Sequence, residues 1–197
     1  MPHARLHPYE AQLDALEGVL CADLIAGILG LPPVKSAADS AVVLERYRAN
    51  LLEPIELPFI ARAHRFAHGG RAKELIAADQ ALVGNHPEWL QLAPPSTRFG
   101  CDYLARMRPL RDERVVQRFL GAVRVGKAPG NHITVFGLTM AVFSIAPRQG
   151  LAEYAQAALE AVVATAAGKL KLTQDVRAEL LERSQANLPE AISRMVA

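Results

Sequence analysis

Gly130-Asn131-His132-Ile133-Thr134-Val135-Phe136-Gly137-Leu138-Thr139-Met140-Ala141-Val142-Phe143-Ser144-Ile145-Ala146-Pro147-Arg148-Gln149-Gly150 holds the longest uncharged apolar run of the chain, Ile133 to Ile145. The run is apolar on every side. A helix without a polar stripe has no face to give to water, so it belongs at the centre of the fold. It is shorter than the roughly 20 residues that a membrane span needs. Ile133, Thr134, Val135 and Phe136 also suit a strand, and a short apolar run is not decided by periodicity alone. A strand needs partners, however, and the rest of the chain offers few. The expectation is a buried central helix over 133–145, with Gly137 allowing a neighbouring backbone to come close and Pro147 and Gly150 ending the run.

Outward from this stretch the chain reads as helices packed on helices. Of its 197 residues 51% are hydrophobic and only 6% aromatic, with Ala and Leu dominant. One domain over 1–197, all-α with about eight to ten helices, is the default. Residues 8–30 carry Leu13, Leu16, Val19, Leu20, Leu24, Ile25 and Ile28 at helical spacing. Ser36 or Asp39 caps the next helix. Pro54 and Pro58 predict a corner, and a helix from Pro58 to Gly69-Gly70 follows. Lys73–Val83 is helical, 84–97 reads as an irregular proline-rich loop holding Trp89, and Ser96 or Thr97 caps a helix that ends at Pro109. Asp112 opens another. Leu151 to Ala166 is the cleanest amphipathic pattern, with Gly168 suited to its C-cap. Thr173 caps the next helix, and Pro189–Ala197 forms a short terminal one. That last helix, short and terminal, is open to two readings: it meets a partner groove, or it docks on its own domain.

Features that suggest chemistry are sparse. Cys21 and Cys101 stand far apart and form no ligand spacing. No signal peptide or disulfide framework is evident, so the expected compartment is the cytoplasm. His64 and His68 are an i,i+4 pair, a spacing that can bind a transition metal, but no third ligand lies near in sequence. Gly121 to Ala128 resembles a phosphate-binding loop, yet Ala128 stands where a magnesium-ligating hydroxyl is required. Between Arg98 and Lys127 there are eight Lys/Arg against three Asp/Glu, while the whole chain carries +2. The ordinary reading of such a run is a solvated face. Nucleic-acid binding through 98–127 is a lesser alternative, because interleaved aromatics for stacking are missing. An all-helical enzyme or small-ligand protein would use His64, His68, His132 and Asp102.

A series of short matches, in order, resembles the urease accessory protein UreF family. It begins with Glu56-Leu57-Pro58, Ala61, Ala63 and His64, and continues with Gly70, Leu75, Asp79 and Leu82. Ser96-Thr97-Arg98-Phe99-Gly100 and Leu104 follow. Gly130-Asn131-His132 and Val135-Phe136-Gly137-Leu138 lead to Ile145, Pro147, Leu151, Tyr154 and Leu159. Ala166 to Leu170 and Leu172-Thr173-Gln174 close the series, which covers residues 40–185. The family's amino-terminal motifs are not found in residues 1–35, and Pro94-Pro95 replaces a charged helical segment. The resemblance implies an all-helical, non-enzymatic scaffold of nickel-urease maturation with no cofactor of its own. It would form a homodimer, bind UreD (also called UreH), recruit the GTPase UreG and serve apo-urease, without nucleic acid or membrane. It also points to the carboxyl-terminal part, from Lys169 and Gln174 into the tail, as the partner contact, and the composition of that tail adds Leu188, Ile192, Arg194 and Met195.

Overall fold

A computed structural model describes residues 8–108, 110 and 113–196. The helices are α1 (Pro8–Asp14), α2 (Ala22–Ile28), α3 (Ala37–Tyr47), α4 (Leu57–His68), α5 (Ala72–Asn85), α6 (Ala93–Arg106), α7 (Arg114–Arg124), α8 (His132–Val142), α9 (Pro147–Leu170), α10 (Gln174–Gln185) and α11 (Leu188–Val196). There is no strand among the described residues, so the fold is all-α. The nine helices α3 to α11, each of nine residues or more, fall within the eight to ten expected.

Helix α8 is the centre. Its residues from His132 to Met140 are all buried. It packs most extensively on α4 and then on α6, with α1 crossing it as well. Gly137 makes the α4 contact possible: a Cβ there would lie 2.7 Å from the Ile60 carbonyl oxygen and 2.8 Å from Ala63 Cβ. The helix stops three residues short of the expected end. Ser144 turns left-handed at φ 56°. The Ile145 amide then reaches the Met140 carbonyl at 2.9 Å, and Ser144 N–H reaches that of Ala141. This is the Schellman closure, here without glycine. Burial ends with the helix, and Ser144 is exposed.

Several other boundaries differ from expectation, each for a local reason. Residues 8–30 are not one helix. A 3-10 turn at Leu16–Gly18 and an extended Cys21 break the segment, which lets Leu16, Val19 and Leu20 all turn inward. Pro54 makes no corner. It sits inside a π-helical stretch, Arg48–Glu56, that joins α3 to α4. The Leu57 amide bonds back to the Leu52 carbonyl, a wider turn that accommodates the missing proline N–H. The supposed loop 84–97 is ordered: α5 runs to Asn85, Pro87–Gln91 is a 3-10 turn, and α6 starts at Ala93 with its prolines in the first turn. Neither Ser96 nor Thr97 caps α6, because Ser96 points into the interior instead. α6 ends at Arg106 and α7 begins at Arg114; Pro109 and Asp112 lie outside the described residues. α9 runs past Gly168, and Lys171 takes the left-handed cap at φ 54°. Ser36 and Thr173 cap α3 and α10 as expected.

The terminal helix takes the second of its two readings and docks on its own domain. α11 packs on α9 and α4. Leu188, Ala191 and Ile192 are buried there, so one apolar side of the helix is spent within its own fold.

Two glycines in helices should respond oppositely to alanine. Gly137→Ala forces a Cβ into the α4 backbone and should cost about 1–3 kcal/mol. Gly168→Ala meets nothing within 4 Å and removes a helix glycine, so it should stabilise by about 0.5–1 kcal/mol. Urea denaturation of the two variants checks both signs.

Candidate functional site: a buried polar spine

Polar residues that lie on apolar helix stripes converge at the start of α8. Asp79 sits on α5 between Leu75 and Leu82 at core-facing spacing, and it is fully buried. Its carboxylate accepts hydrogen bonds from Gly130 N–H at 2.6 Å, Asn131 N–H at 3.1 Å and Asn131 Nδ2 at 3.0 Å, and from the Thr134 hydroxyl. Orphan amides at a helix N-terminus, with the positive end of the dipole, favour an anion. Here the chain supplies that anion itself. Gly130 turns with φ 80° to present its amide. Gly100 on α6 lies so close that a Cβ would come within 2.1 Å of the Gly130 carbonyl oxygen.

From Asn131 the network runs on. Asn131 Oδ1 accepts from Trp89 Nε1 at 3.3 Å and lies 3.2 Å from Ser96 Oγ. Ser96 Oγ also accepts from the His132 amide at 3.1 Å and lies 2.8 Å from His132 Nδ1. His132 Nε2 is 2.9 Å from Tyr154 Oη. The Tyr154 hydroxyl donates to Glu56 Oε2 at 2.7 Å, and the Tyr47 hydroxyl donates to the same oxygen at 2.9 Å. The indole of Trp89 stacks on the His132 ring, with centroids 5.8 Å apart.

The protons in this line have a consistent direction. Burial lowers the His132 pKa to about 3, so the ring is neutral. Tyr154 gives its only proton to Glu56, so its oxygen accepts from His132 Nε2–H. Nδ1 is then the acceptor for the single proton of the Ser96 hydroxyl, which assigns the tautomer from the network and leaves the longer 3.2 Å approach of Ser96 Oγ to Asn131 Oδ1 a contact without a proton. At the far end, burial raises the Glu56 pKa to about 7, against the lowering effect of the two tyrosine bonds. Glu56 Oε1 has no hydrogen-bond partner among the described residues. Burial likewise raises the carboxyl of Asp79, partly offset by its four donors. Burial, reinforced by the Glu56 carboxylate, lifts both Tyr47 and Tyr154 well above the usual phenol range.

Chemically this spine is closed. Glu56, Asp79, Ser96 and Asn131 have no exposed surface, and His132 and Tyr154 have at most 1%. Apart from Glu56 Oε1, its members satisfy one another instead of facing a substrate. A groove of about 660 Å³ runs elsewhere, between α1 and α9, past Asp14, Glu17 and Glu160.

The other expected site residues are dispersed. His64 and His68 do share a face of α4, their rings stacked at 5.8 Å. Burial and the neighbouring His68 lower the His64 pKa. No group of three potential metal ligands exists among the described residues, and His132 has both ring nitrogens engaged in the spine. Asp102 is exposed on α6. The stretch resembling a phosphate loop is the end of α7 and a turn, and the helix that follows it already holds Asp79 at its amides. Lys169 is exposed and pairs with Asp23 at 2.7 Å. Gln174 and Arg194 are exposed, Met195 is half-buried, and Leu188 and Ile192 are buried.

An all-α protein whose interior is stitched by a closed hydrogen-bond line, and not opened around a reaction centre, is what these residues build. Residues 34–184 match the UreF family, and the chain belongs to that family, whose members are accessory proteins of urease maturation. No curated protein matches the chain. The residues that carried the resemblance in sequence, Glu56, Asp79, Ser96, Gly100, Gly130, Asn131, His132 and Tyr154, are members or direct supports of the spine. Trp89, Tyr47 and Thr134 were missed. A lone buried tryptophan needs a partner for its N–H, which was the one available signal.

Glu56 and His132 pull stability in opposite directions with pH. Glu56 has a folded pKa above its unfolded value, so its ionisation weakens the fold as pH rises from about 4.5 to 7. His132 has a folded pKa below its unfolded value, so stability is lost as pH falls from 6.5 towards 3. Glu56→Gln removes only the first effect. The variant should be more stable than wild type at pH 8, by up to roughly 3 kcal/mol. That advantage should shrink steadily towards pH 4.5. Urea midpoints across this range check it; a constant difference would contradict the assignment.

Proposed function

We propose that this chain is a non-catalytic scaffold of urease maturation. It acts as a homodimer in the cytoplasm, binds a UreD/UreH-like protein, recruits a UreG-like GTPase and brings both to apo-urease, so that nickel is cargo of the assembly. One observation carries the reading beyond family membership. The residues best suited to acid–base work, Glu56, His132, Tyr154 and Ser96, are bonded to each other inside the core. That favours function through the surface. The alternative, an enzyme or small-ligand protein using His64, His68 and His132, is disfavoured by the same burial of His132.

The proposed contact for the UreD/UreH-like partner is the carboxyl-terminal face. Leu188 and Ile192 anchor α11, while Arg194, Met195, Lys169 and Gln174 offer the polar and apolar groups outside. Lys169 and Gln174 lie at the other end of α9, whereas beside Leu188 and Ile192 a groove of about 200 Å³ lies between α9 and α11, past Arg148, Gln156, Gln185 and Pro189. Arg148 donates to Ser193 at 3.0 Å across its rim.

Co-expression with the UreD/UreH-like protein tests this. Arg194→Glu should leave the melting temperature within a few degrees of wild type, as expected for a surface change, and reduce co-purification about tenfold. Deleting 188–197 should instead destabilise the chain, because it strips apolar cover from α9. Full partner binding by Arg194→Glu together with Lys169→Glu and Gln174→Ala would remove this face from the reading.

A further inference from the structure

We propose that the α6–α7 hairpin is a second docking face, for an acidic surface of one of the partner proteins; this rests on the scaffold reading above. The hairpin is closed at both ends. Gln117 on α7 donates to the carbonyls of Arg108 and Leu110, at 3.3 and 2.9 Å, which ties the α6 end to the start of α7. At the other end Cys101 Sγ meets the Pro129 carbonyl, and Gly100 lies against Gly130, so the turn after α7 returns beside the start of α6. Charge is therefore gathered from both helices of the hairpin. Arg106, Arg108, Arg114 and Arg118 crowd one end, while Arg98, Arg124 and Lys127 crowd the other, and all are exposed.

None of these seven is in an ion pair among the described residues; the pairs found there are Arg48–Glu53, His86–Glu88 and Lys169–Asp23. Among the described residues of the same stretch the exposed carboxylates are Asp102 and Glu113. α7 has no acidic residue in its first turn, and Glu113 makes no capping bond. Among the described residues the seven cations thus outnumber the carboxylates of the stretch and make no ion pair. α7 spans about 16 Å at 1.5 Å per residue, so the like charges are closely spaced and repel. An opposing row of carboxylates relieves that repulsion and steers encounter.

Two features favour a protein over a nucleic acid. Val125, at the end of the hairpin, is 68% exposed and gives an apolar anchor amid the charges. The aromatic rings here are not free to stack on bases: Phe119 and Tyr103 are buried, and Arg106 covers the Tyr103 ring at 4.2 Å.

The experiment uses the full chain, captured with purified UreD/UreH-like protein, UreG-like GTPase and apo-urease, singly and together. Arg114→Glu with Arg118→Glu should weaken capture of one partner about tenfold or more, and raising salt should weaken wild type more than the variant. Arg65→Glu on α4 controls for net charge, and the urea midpoint confirms folding; Arg124→Glu with Lys127→Glu, at the other end, serves if the first pair unfolds. Equal capture by wild type and both folded variants overturns the hairpin face alone. Capture of no partner by wild type overturns the scaffold reading and this face with it. Tight binding of a 20-base-pair duplex DNA or RNA that is lost in the same variants assigns the face to nucleic acid and overturns the protein partner.

Discussion

The carboxylate of Asp79 at the amino end of α8 is the interaction on which the rest depends. It neutralises the free amides of Gly130 and Asn131 and holds the Thr134 hydroxyl. A wholly buried helix has no water to solvate its first turn, so a partner must come from the protein. Supplying it from α5 fixes the depth of α8 against that helix. Once α8 is fixed, His132 points at Ser96 and Tyr154, and Tyr154 points at Glu56. The hydrogen bonds thereby tie α5, α6, α8 and α9 to the end of the π-helical stretch. Apolar packing alone tolerates small slips; a line of specific donors and acceptors does not.

The same arrangement explains why this fold presents so little interior chemistry. The helix terminus best placed to receive a phosphate already holds a carboxylate. The one histidine that lies beside a serine and a tyrosine is neutral and sealed. Both tyrosines are pinned to a carboxyl group that is itself costly to ionise. These are devices for position, and they leave the surface as the part of the molecule free to recognise others.

Much of this was legible in sequence. An apolar run without a polar face implied a buried helix, and Gly137 implied a close backbone neighbour; both hold. The β-branched start of the run did not make a strand because every neighbouring element is helical. Turns hidden by proline were harder to read. Pro54 is absorbed by a widened helical turn, and Pro94 and Pro95 open a helix, because proline is penalised only where its N–H is needed. Asp79, Glu56 and Ser96 do not read as interior: the first two stand only as points of family resemblance and Ser96 reads as a helix cap, although the spacing Leu75–Asp79–Leu82 puts Asp79 on an apolar stripe. Apart from Tyr47–Glu56, nine positions apart, the hydrogen bonds of the spine join residues 22 to 98 positions apart, and no local pattern encodes those.

The π-helical segment ends on Glu56, which waits for Tyr154, ninety-eight positions later. Asp79 likewise waits for Gly130 and Asn131. On the ribosome, therefore, two buried acids of the amino-terminal half emerge early, Glu56 with Tyr47 as its one donor already made and Asp79 with none of its donors. Until Tyr154 has been made and released, the early helices can gather but their interior stays hydrated around Glu56 and Asp79, and apolar surface meant for α8 stays uncovered. The fold is thus completed late in translation, and its nascent form is the state most in need of protection from aggregation.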